Sequence, residues 1–418
     1  MNKKQIIFND PIYGFITVPD PLIHKIINHP YFLRLQRIRQ LGLTSLVYPG
    51  ALHTRFQHAM GAMHLTSKAV DALRAKDVEI TKEEERGVLI AVLLHDIGHG
   101  PFSHALEHTI VENISHEGIS ILFLEKLNKE FKGELSLAIE IFTDTYKKKF
   151  LHQLVSSQLD MDRLDYLNRD SFFTGVTEGI ISSDRIIKML NVKNDELVVE
   201  AKGIYSVEKF IIARRLMYWQ VYLHKTVLSA EFLLVKILER AKELALTHNP
   251  SPRGRGTQGR GQKLFSTPVL ETFLYNSIGK KNIAEHLDDF ALLDDSDISA
   301  SLKAWMKCDD FVLSTLCEML VNRKLYKVLI QDEPFDEKQV GDFKKKVQKK
   351  YKLSEKESEY FVFSQAVTND AYRPDKIRIN ILYKDGKIAD IAKASDQEYI
   401  SALQKTVRKY FLCFPKNI

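Results

Sequence analysis

The stretch that decides the fold is residues 93–104, LLHDIGHGPFSH, in which an apolar run meets a histidine and an aspartate. The run that leads into it, Val88–Leu94, is entirely apolar and predicts a buried helix that stops at a glycine-rich turn. His95 and Asp96 stand together at the end of this helix, where both side chains can reach one metal ion. An imidazole with a carboxylate suits iron, manganese or zinc better than calcium.

Two further stretches carry polar groups of the same kind. One is residues 53–61, HTRFQHAMG, and the other is residues 158–170, QLDMDRLDYLNRD. In the second, Asp162, Tyr166 and Asp170 are spaced four apart, so a helix aligns them in one stripe. Charged groups are rare on a buried stripe unless they are paired or bind a metal. A lone histidine–aspartate pair is often only a hydrogen bond, so the prediction of a metal site depends on the three stretches together.

Composition bounds the class of protein. The chain has 418 residues, of which 44% are hydrophobic and 27% charged, and this suits a large folded core. No run of about 18 apolar residues occurs, so we expect no membrane contact, and the apolar stretch after Lys4 is too short for a signal peptide. Three cysteines are too few for a disulfide framework and favour a cytoplasmic location. A net charge of +6 does not by itself indicate nucleic acid.

The pattern along the chain predicts three parts. Residues 1–248 read as mainly α after a short N-terminal β-hairpin, with no alternating run typical of a strand elsewhere in them. Residues 249–263 form a flexible loop rich in arginine and glycine. Residues 264–418 read as α+β: helices come first, then a lysine-rich helix, then a hairpin that turns at Asp385-Gly386.

The ordered set His58, His95-Asp96 and Asp162 resembles the H…HD…D signature of the HD-domain metal-dependent phosphohydrolases. The blocks around it are similar to one branch, the deoxynucleoside triphosphate (dNTP) triphosphohydrolases, some of whose eukaryotic members join a SAM domain to the HD domain. The similarity is dense over about the first 240 residues and faint in the tail. It implies a mainly α fold: an HD-domain helical core, a short N-terminal β-hairpin and a smaller α+β C-terminal part. Because the match starts within the first ten residues, we expect no SAM domain ahead of the core.

The resemblance also implies a reaction, in which water attacks the α-phosphorus of a dNTP and releases deoxynucleoside and inorganic tripolyphosphate. It implies a divalent metal, iron or manganese with magnesium or zinc as alternatives, and leaves open a second ion near Asp96. The implied metal ligands are His58, His95, Asp96 and Asp162, and the implied acid/base cluster is His99, His104, Glu107 and His116. The implied substrate-binding residues are Gln40, Leu41, Arg55, Arg163, Tyr166, Asp170, Arg214, Tyr218 and Tyr222.

Some positions depart from the eukaryotic pattern. Arg163 stands where those members have lysine, Tyr218 where they have histidine, and Leu223 where they have glutamine. Polar residues that read an activating guanine nucleotide are replaced as well, at Asn28, Leu33 and Gln36. We therefore do not expect activation by GTP, and another nucleotide activator, or none, remains open. By analogy with the family, we expect a homo-oligomer, either a dimer or a tetramer.

Three alternatives remain. The chain could be another HD phosphohydrolase, acting on nucleoside monophosphates, cyclic nucleotides or guanosine tetraphosphate. It could bind nucleic acid through Arg253, Arg255 and Arg260 and the lysine cluster of residues 344–352, although a solvated basic surface is the simpler interpretation. It could also be a degraded enzyme that serves only as an interaction module, but the complete ligand set argues against this.

Overall fold

The computed structural model describes residues 6–102, 109–247, 263–369, 371–373, 377–397, 400 and 402–418. His104, Glu107 and residues 249–262 of the predicted loop lie outside these ranges. Strands Ile6–Asp10 (β1) and Gly14–Val18 (β2) form the predicted N-terminal hairpin. The helices that follow are Pro21–Ile27 (α1), Pro30–Leu33 (α2), Arg55–Arg74 (α3), Lys82–Leu94 (α4), His116–Glu130 (α5), Ser136–Phe142 (α6), Lys149–Val155 (α7), Met161–Thr174 (α8) and Ser183–Met189 (α9). The mainly α core with its hairpin is thus confirmed.

The helices that carry the three polar stretches lie together, because α3 packs against both α4 and α8. Every residue of Val88–Leu94 is at most 1% exposed, so this part of α4 is buried on all sides, which explains its continuous apolar run. Side chains define where each helix begins. Thr81 and Glu84 form a capping box at α4, and the carboxylate of Asp160 accepts the Arg163 N–H at the start of α8.

The remaining elements are helices and short strands. The helices are Ile204–Met217 (α10), Lys225–Thr247 (α11), Pro268–Tyr275 (α12), Leu287–Leu292 (α13), Asp295–Trp305 (α14), Phe311–Val321 (α15), Glu337–Tyr351 (α16), Glu355–Ser358 (α17) and Ile391–Ala394 (α18). The strands are Leu190–Lys193 (β3), Glu196–Glu200 (β4), Lys327–Gln331 (β5), Phe363–Asn369 (β6), Asn380–Leu382 (β7), Ile388–Asp390 (β8) and Val407–Phe414 (β9).

Two small sheets make the C-terminal region α+β, as predicted. One is antiparallel with strand order β5-β9-β6, and α16 packs on it through Phe343, whose ring stacks on Phe414 at 4.2 Å. The lysine cluster lies on and just after α16, and most of its side chains are exposed. The predicted hairpin is β7–β8, which pairs Ile381 with Ala389 and turns through Gly386 at φ +84°.

The prediction that the first 248 residues contain no strand after the N-terminal hairpin was wrong. β3 and β4 form a second hairpin, whose Asn194 and Asp195 adopt φ values of +54° and +61° at the turn. β4 then pairs in parallel with β7, which gives a four-stranded sheet of order β3-β4-β7-β8. This sheet joins the core to the C-terminal region, while the division at residues 249–263 stays a prediction.

One hydrophobic cluster runs from β2 and α1 through α3, α4 and α11 to β9. It includes Leu93, Phe210, Trp305 and Leu412, all at most 1% exposed. Among the described residues, no helix is both long and apolar enough to cross a membrane.

Candidate functional site

Three of the four predicted metal ligands converge from three helices. His58 lies on α3, His95 caps the end of α4, and Asp162 lies in the first turn of α8. Asp162 Oδ1 is 3.0 Å from His58 Nε2 and 3.4 Å from His95 Nε2. One ligand atom from each of the three lies within 4.8 Å of the others, so the group could hold a metal ion.

Both histidines present an Nε2 lone pair to this point. His58 Nδ1 donates to Asp165 Oδ2 at 2.8 Å, and His95 Nδ1 donates to the carbonyl oxygen of Val92 at 2.6 Å. Each partner only accepts hydrogen bonds, so each Nδ1 carries the hydrogen and Nε2 is left for a ligand. Neither Nε2 is hydrogen-bonded to any described residue, although both are buried. Two such unsatisfied nitrogens beside a carboxylate are the pattern expected of metal ligands.

Asp96, the fourth predicted metal ligand, lies at the edge of the group formed by His58, His95 and Asp162. Its Oδ1 is 3.2 Å from His95 Nε2, its Oδ2 is 3.8 Å from His58 Nε2, and its carboxylate also pairs with Arg55. Burial opposes the charge on Asp96, but His95 and Arg55 outweigh it and hold the pKa of Asp96 well below its usual range. Asp96 therefore stays ionised. Two imidazoles and two carboxylates suit a divalent ion of borderline softness.

The carboxylates beside His58 determine the pKa of its imidazole. Burial alone would lower the pKa of His58, but the adjacent carboxylates of Asp162 and Asp165 raise it to about 10. The imidazole then holds a proton at neutral pH. A cation that binds at Nε2 takes the place of this proton.

His99 and His116, two of the four predicted acid/base residues, lie together beside Asp96. Their rings stack with centroids 3.9 Å apart and planes 15° apart, and His99 Nε2 is 3.4 Å from Asp96 Oδ1. Burial and the charge of Arg55 hold the pKa of His99 well below its usual range, so its ring is neutral. One ligand atom from each of Asp96, His99 and His116 also falls within 4.8 Å of the others. The other two predicted residues, His104 and Glu107, lie outside the described ranges.

The predicted substrate-binding residues include arginines and tyrosines that contact one another. The Tyr166 and Tyr222 rings are 6.1 Å apart, the Tyr218 and Tyr222 rings are 5.1 Å apart, and the Arg214 guanidinium is 5.9 Å from the Tyr218 ring. Nε of Arg163 and Nε of Arg214 are buried, and neither is hydrogen-bonded within the part of the chain that the structure describes. These donors are open to an anionic ligand.

Arg214, Tyr218 and Tyr222 are four residues apart in sequence, a spacing that predicts one face of a regular helix, and this prediction was wrong in its geometry. α10 ends at Met217, and Tyr218–Tyr222 form a π-helical turn. Such turns widen a helix by one residue and often occur at functional sites. Here the Tyr222 hydroxyl donates to Asp170 Oδ2 at 2.7 Å.

His53 was not among the predicted site residues, although it links two of them. Its Nε2 is 2.8 Å from Asp170 Oδ1, and its carbonyl oxygen accepts the N–H of Gln40 at 3.0 Å. Gln40 Oε1 is buried and accepts no hydrogen bond from the described residues. Leu41 follows it, half-buried against the core. The sequence signal for His53 was its place five residues before His58, and a lone histidine there is otherwise uninformative.

Asp295 is a second residue that the sequence did not reveal, because it comes from the distant C-terminal region. Its Oδ1 accepts the Phe102 N–H at 2.8 Å, just after the histidine–aspartate turn, and its Oδ2 accepts the Arg39 N–H at 3.0 Å, just before Gln40. Phe102 has φ +51°, a strained value for a bulky residue. Asp295 therefore fixes two segments that both carry predicted site residues.

We predict that Asp295→Asn lowers the free energy of unfolding by about 1.5–3 kcal/mol, because an amide cannot accept from both N–H groups. Urea titration followed by circular dichroism measures this. Asp309→Asn, which makes the same charge change at an exposed position, should stay within about 0.5 kcal/mol of the original protein. Equal midpoints for the two variants would contradict the role of Asp295.

Family models match two adjoining parts of the chain. The HD domain matches residues 55–170, which contain all four predicted metal ligands, and the HD associated region matches residues 181–250. A Bacillus subtilis protein called uncharacterized protein YwfO is 33% identical over 100% of this chain and 93% of its own length.

Two further relatives have names that state an enzymatic activity. The crystal structure of a phosphohydrolase from Bacteroides thetaiotaomicron has a TM-score of 0.92 and 50% identity, over 99% of this chain and 100% of that one. The deoxynucleoside triphosphate triphosphohydrolase SAMHD1 homolog of Dictyostelium discoideum is 32% identical over 58% of this chain, which spans 50% of that relative's length. The chain belongs to the HD-domain phosphohydrolase family, in the group in which an HD-associated region follows the HD domain.

Proposed function

We propose that this protein is a metal-dependent hydrolase that converts dNTPs into deoxynucleoside and inorganic tripolyphosphate. The observation that carries the proposal is the ligand set of two histidines and two carboxylates, flanked by arginines and by a cluster of three tyrosines. The similarity to a protein named as a dNTP triphosphohydrolase supports the same substrate class. Among the alternatives, nucleoside monophosphates and cyclic nucleotides carry a single phosphate and need fewer cationic contacts than a triphosphate.

His58, His95, Asp96 and Asp162 would hold the metal, which when bound supplies positive charge against the phosphate oxygens and helps to ionise water. We propose iron or manganese for this ion, because the donor set is mixed imidazole and carboxylate. A second ion beside Asp96 remains part of the proposal, since Asp96, His99 and His116 form a second group of donors.

The arginines neutralise the triphosphate. Arg55 already lies against Asp96, so it is fixed at the edge of the metal site. Arg163 and Arg214 each keep a buried Nε that can donate to a phosphate oxygen. Burial and the charge of Asp162 disfavour ionisation of Tyr166, and its raised pKa keeps its hydroxyl a donor.

Hydrolysis at the α-phosphorus forms a bond from the water oxygen to phosphorus and breaks the bond from phosphorus to the 5′-oxygen. The 5′-oxygen leaves as a hydroxyl only if it receives a proton. We assign this proton to His116, which is held in place by its stack on the neutral ring of His99. The attacking water releases one proton to solvent as its oxygen bonds to phosphorus, and the products are then the deoxynucleoside and tripolyphosphate.

The tyrosine cluster selects the sugar. Tyr222 is held by its hydrogen bond to Asp170 and by the rings of Tyr166 and Tyr218, so it cannot easily move away from a ribose 2′-hydroxyl. Gln40 Oε1 is the open acceptor for the 3′-hydroxyl, with Leu41 beside the nucleoside. Asp170 already accepts from His53 and Tyr222, and we propose that it shares this hydroxyl.

We further propose a cytoplasmic homo-oligomer. All three cysteines are free thiols, and Cys317 and Cys413 are buried, as suits a reducing compartment. The oligomer follows from analogy with the family.

Product chromatography tests the proposed reaction. Each dNTP and its matching NTP is incubated with the protein and manganese or ferrous iron, singly and in mixtures, with Asp96→Ala as the control. We expect deoxynucleoside and tripolyphosphate from dNTPs, no product from NTPs, and no product from the variant. Turnover only of monophosphates, cyclic nucleotides or guanosine tetraphosphate would replace this proposal with another HD phosphohydrolase activity.

A further inference from the structure

The turn of the N-terminal hairpin places an aspartate in the protein interior. Asp10 ends β1 and is only 7% exposed. Its Oδ1 accepts the N–H groups of Ile12 and Tyr13 at 2.9 and 3.0 Å, which fixes the turn. Its Oδ2 is left to accept Arg169 Nη1 at 2.8 Å. The hairpin is thus tied to α8 by a buried ion pair.

Arg169 links Asp10 to Asp165, which lies beside the metal site. It is fully buried, and its Nε and Nη2 donate to the two oxygens of Asp165, each at 2.9 Å. The Tyr13 ring, from the same turn as Asp10, lies 5.6 Å from the guanidinium. Two parallel hydrogen bonds fix the plane of a carboxylate as well as its position.

Asp165 in turn sets the orientation of a predicted metal ligand. It is fully buried, and its Oδ2 accepts His58 Nδ1–H at 2.8 Å. Asp10, Arg169, Asp165 and His58 therefore form one chain of charged hydrogen bonds that starts at the hairpin and ends at the metal-facing nitrogen.

Such a chain is costly to maintain for stability alone. Burying two carboxylates and a guanidinium carries a large desolvation penalty, and apolar side chains of similar volume often hold two elements together as well or better. What apolar groups cannot do is fix the tautomer and ring plane of a histidine. The arrangement fits an orienting role for His58 better than a role in attaching the hairpin.

We infer that Asp10 and Arg169 are positioning residues for the metal centre, and that docking of the N-terminal hairpin sets the affinity of the site for its metal. The inference rests on the metal site of the proposed function and does not depend on the nature of the phosphate substrate. Neither residue touches the reacting atoms, so both act through Asp165 and His58.

Metal binding by the purified full chain tests this directly. The metal-free protein is titrated with Mn²⁺ by calorimetry and with Co²⁺ by optical spectroscopy, whose bands report ligand geometry. We expect Asp10→Asn and Arg169→Lys each to weaken binding about 10–100-fold and to shift the Co²⁺ bands. Arg240→Lys is the matched control, because Arg240 makes an equally bidentate pair with Asp310 outside this chain of contacts.

Thermal unfolding of the metal-free proteins separates positioning from stability. Asp10→Asn keeps an acceptor for the turn, and Arg169 keeps its pair with Asp165, so we expect this variant to stay folded at the assay temperature although it melts below Arg240→Lys. Unchanged Mn²⁺ affinity in a folded Asp10→Asn protein would overturn the inference, as would an original protein that binds neither ion. Tight metal binding by an original protein that hydrolyses no dNTP would refute the proposed function and leave the inference standing.

Discussion

Asp162→Ala is expected to lower kcat/KM for dNTP hydrolysis by about 10³-fold or more and to remove most of the bound metal. Asp162 Oδ1 is the atom that approaches both histidine nitrogens, at 3.0 and 3.4 Å, so its loss opens one side of the ligand set. A bound cation supplies several kcal/mol of charge stabilisation in the transition state, and each 1.4 kcal/mol changes the rate about tenfold.

The variant should still fold. The Asp162 side chain is 23% exposed, so alanine leaves no sealed cavity. Metal content by atomic emission and initial rates on the same preparation provide both readouts. Asp184→Ala makes the same chemical change at a surface carboxylate that is 69% exposed, and it should keep its metal and rate. Full metal content and full rate in Asp162→Ala would contradict the assigned ligand set.

Gly61→Ala is expected to lower the apparent free energy of unfolding by about 3–5 kcal/mol, the range for breaking a buried ion pair. Gly61 lies on α3 one turn after His58, where a Cβ would overlap Asp165 Oδ1 and Arg169 Nη2 and lie 2.8 Å from Asp165 Cγ. Both side chains are fully buried, so they cannot move aside without separating from each other or from His58.

Gly341→Ala on α16 is the matched control, since a Cβ added at Gly341 would meet no atom within 4 Å. Alanine is the better helix former, so this change should stabilise the protein by about 0.5–1 kcal/mol. Urea titrations of both variants beside the original protein measure the difference. A Gly61→Ala protein as stable as the original would mean that the carboxylate–guanidinium pair is not fixed at this point of α3.

Sequence patterns predicted those helices and strands whose conformation is determined by residues next to one another in the chain. The apolar run into His95-Asp96 predicted a buried helix, and the alternation that leads to Asp385-Gly386 predicted a hairpin, each from neighbouring residues alone. β3 and β4 were missed because each is only four or five residues long, and because the strand that β4 needs, β7, lies about 180 residues further along. The π-helical turn at Tyr218–Tyr222 was missed because it keeps the spacing of an ordinary helix in sequence.

The same limit applies to the candidate site. The residues predicted for metal binding occur in an order that resembles a known family signature, so they could be recognised from the sequence. Asp295 and Asp10 carry none, since each acts through a contact with a segment far away in sequence. Such residues can be found only once the fold brings the segments together.

The fate of the water oxygen tests the central claim most directly. A dNTP is hydrolysed by the protein in ¹⁸O-labelled water with manganese, and the products are separated and weighed by mass spectrometry. Attack at the α-phosphorus predicts one ¹⁸O in tripolyphosphate and none in the deoxynucleoside. Pyrophosphate with a deoxynucleoside monophosphate, label in the deoxynucleoside, or no turnover with any dNTP would contradict the account.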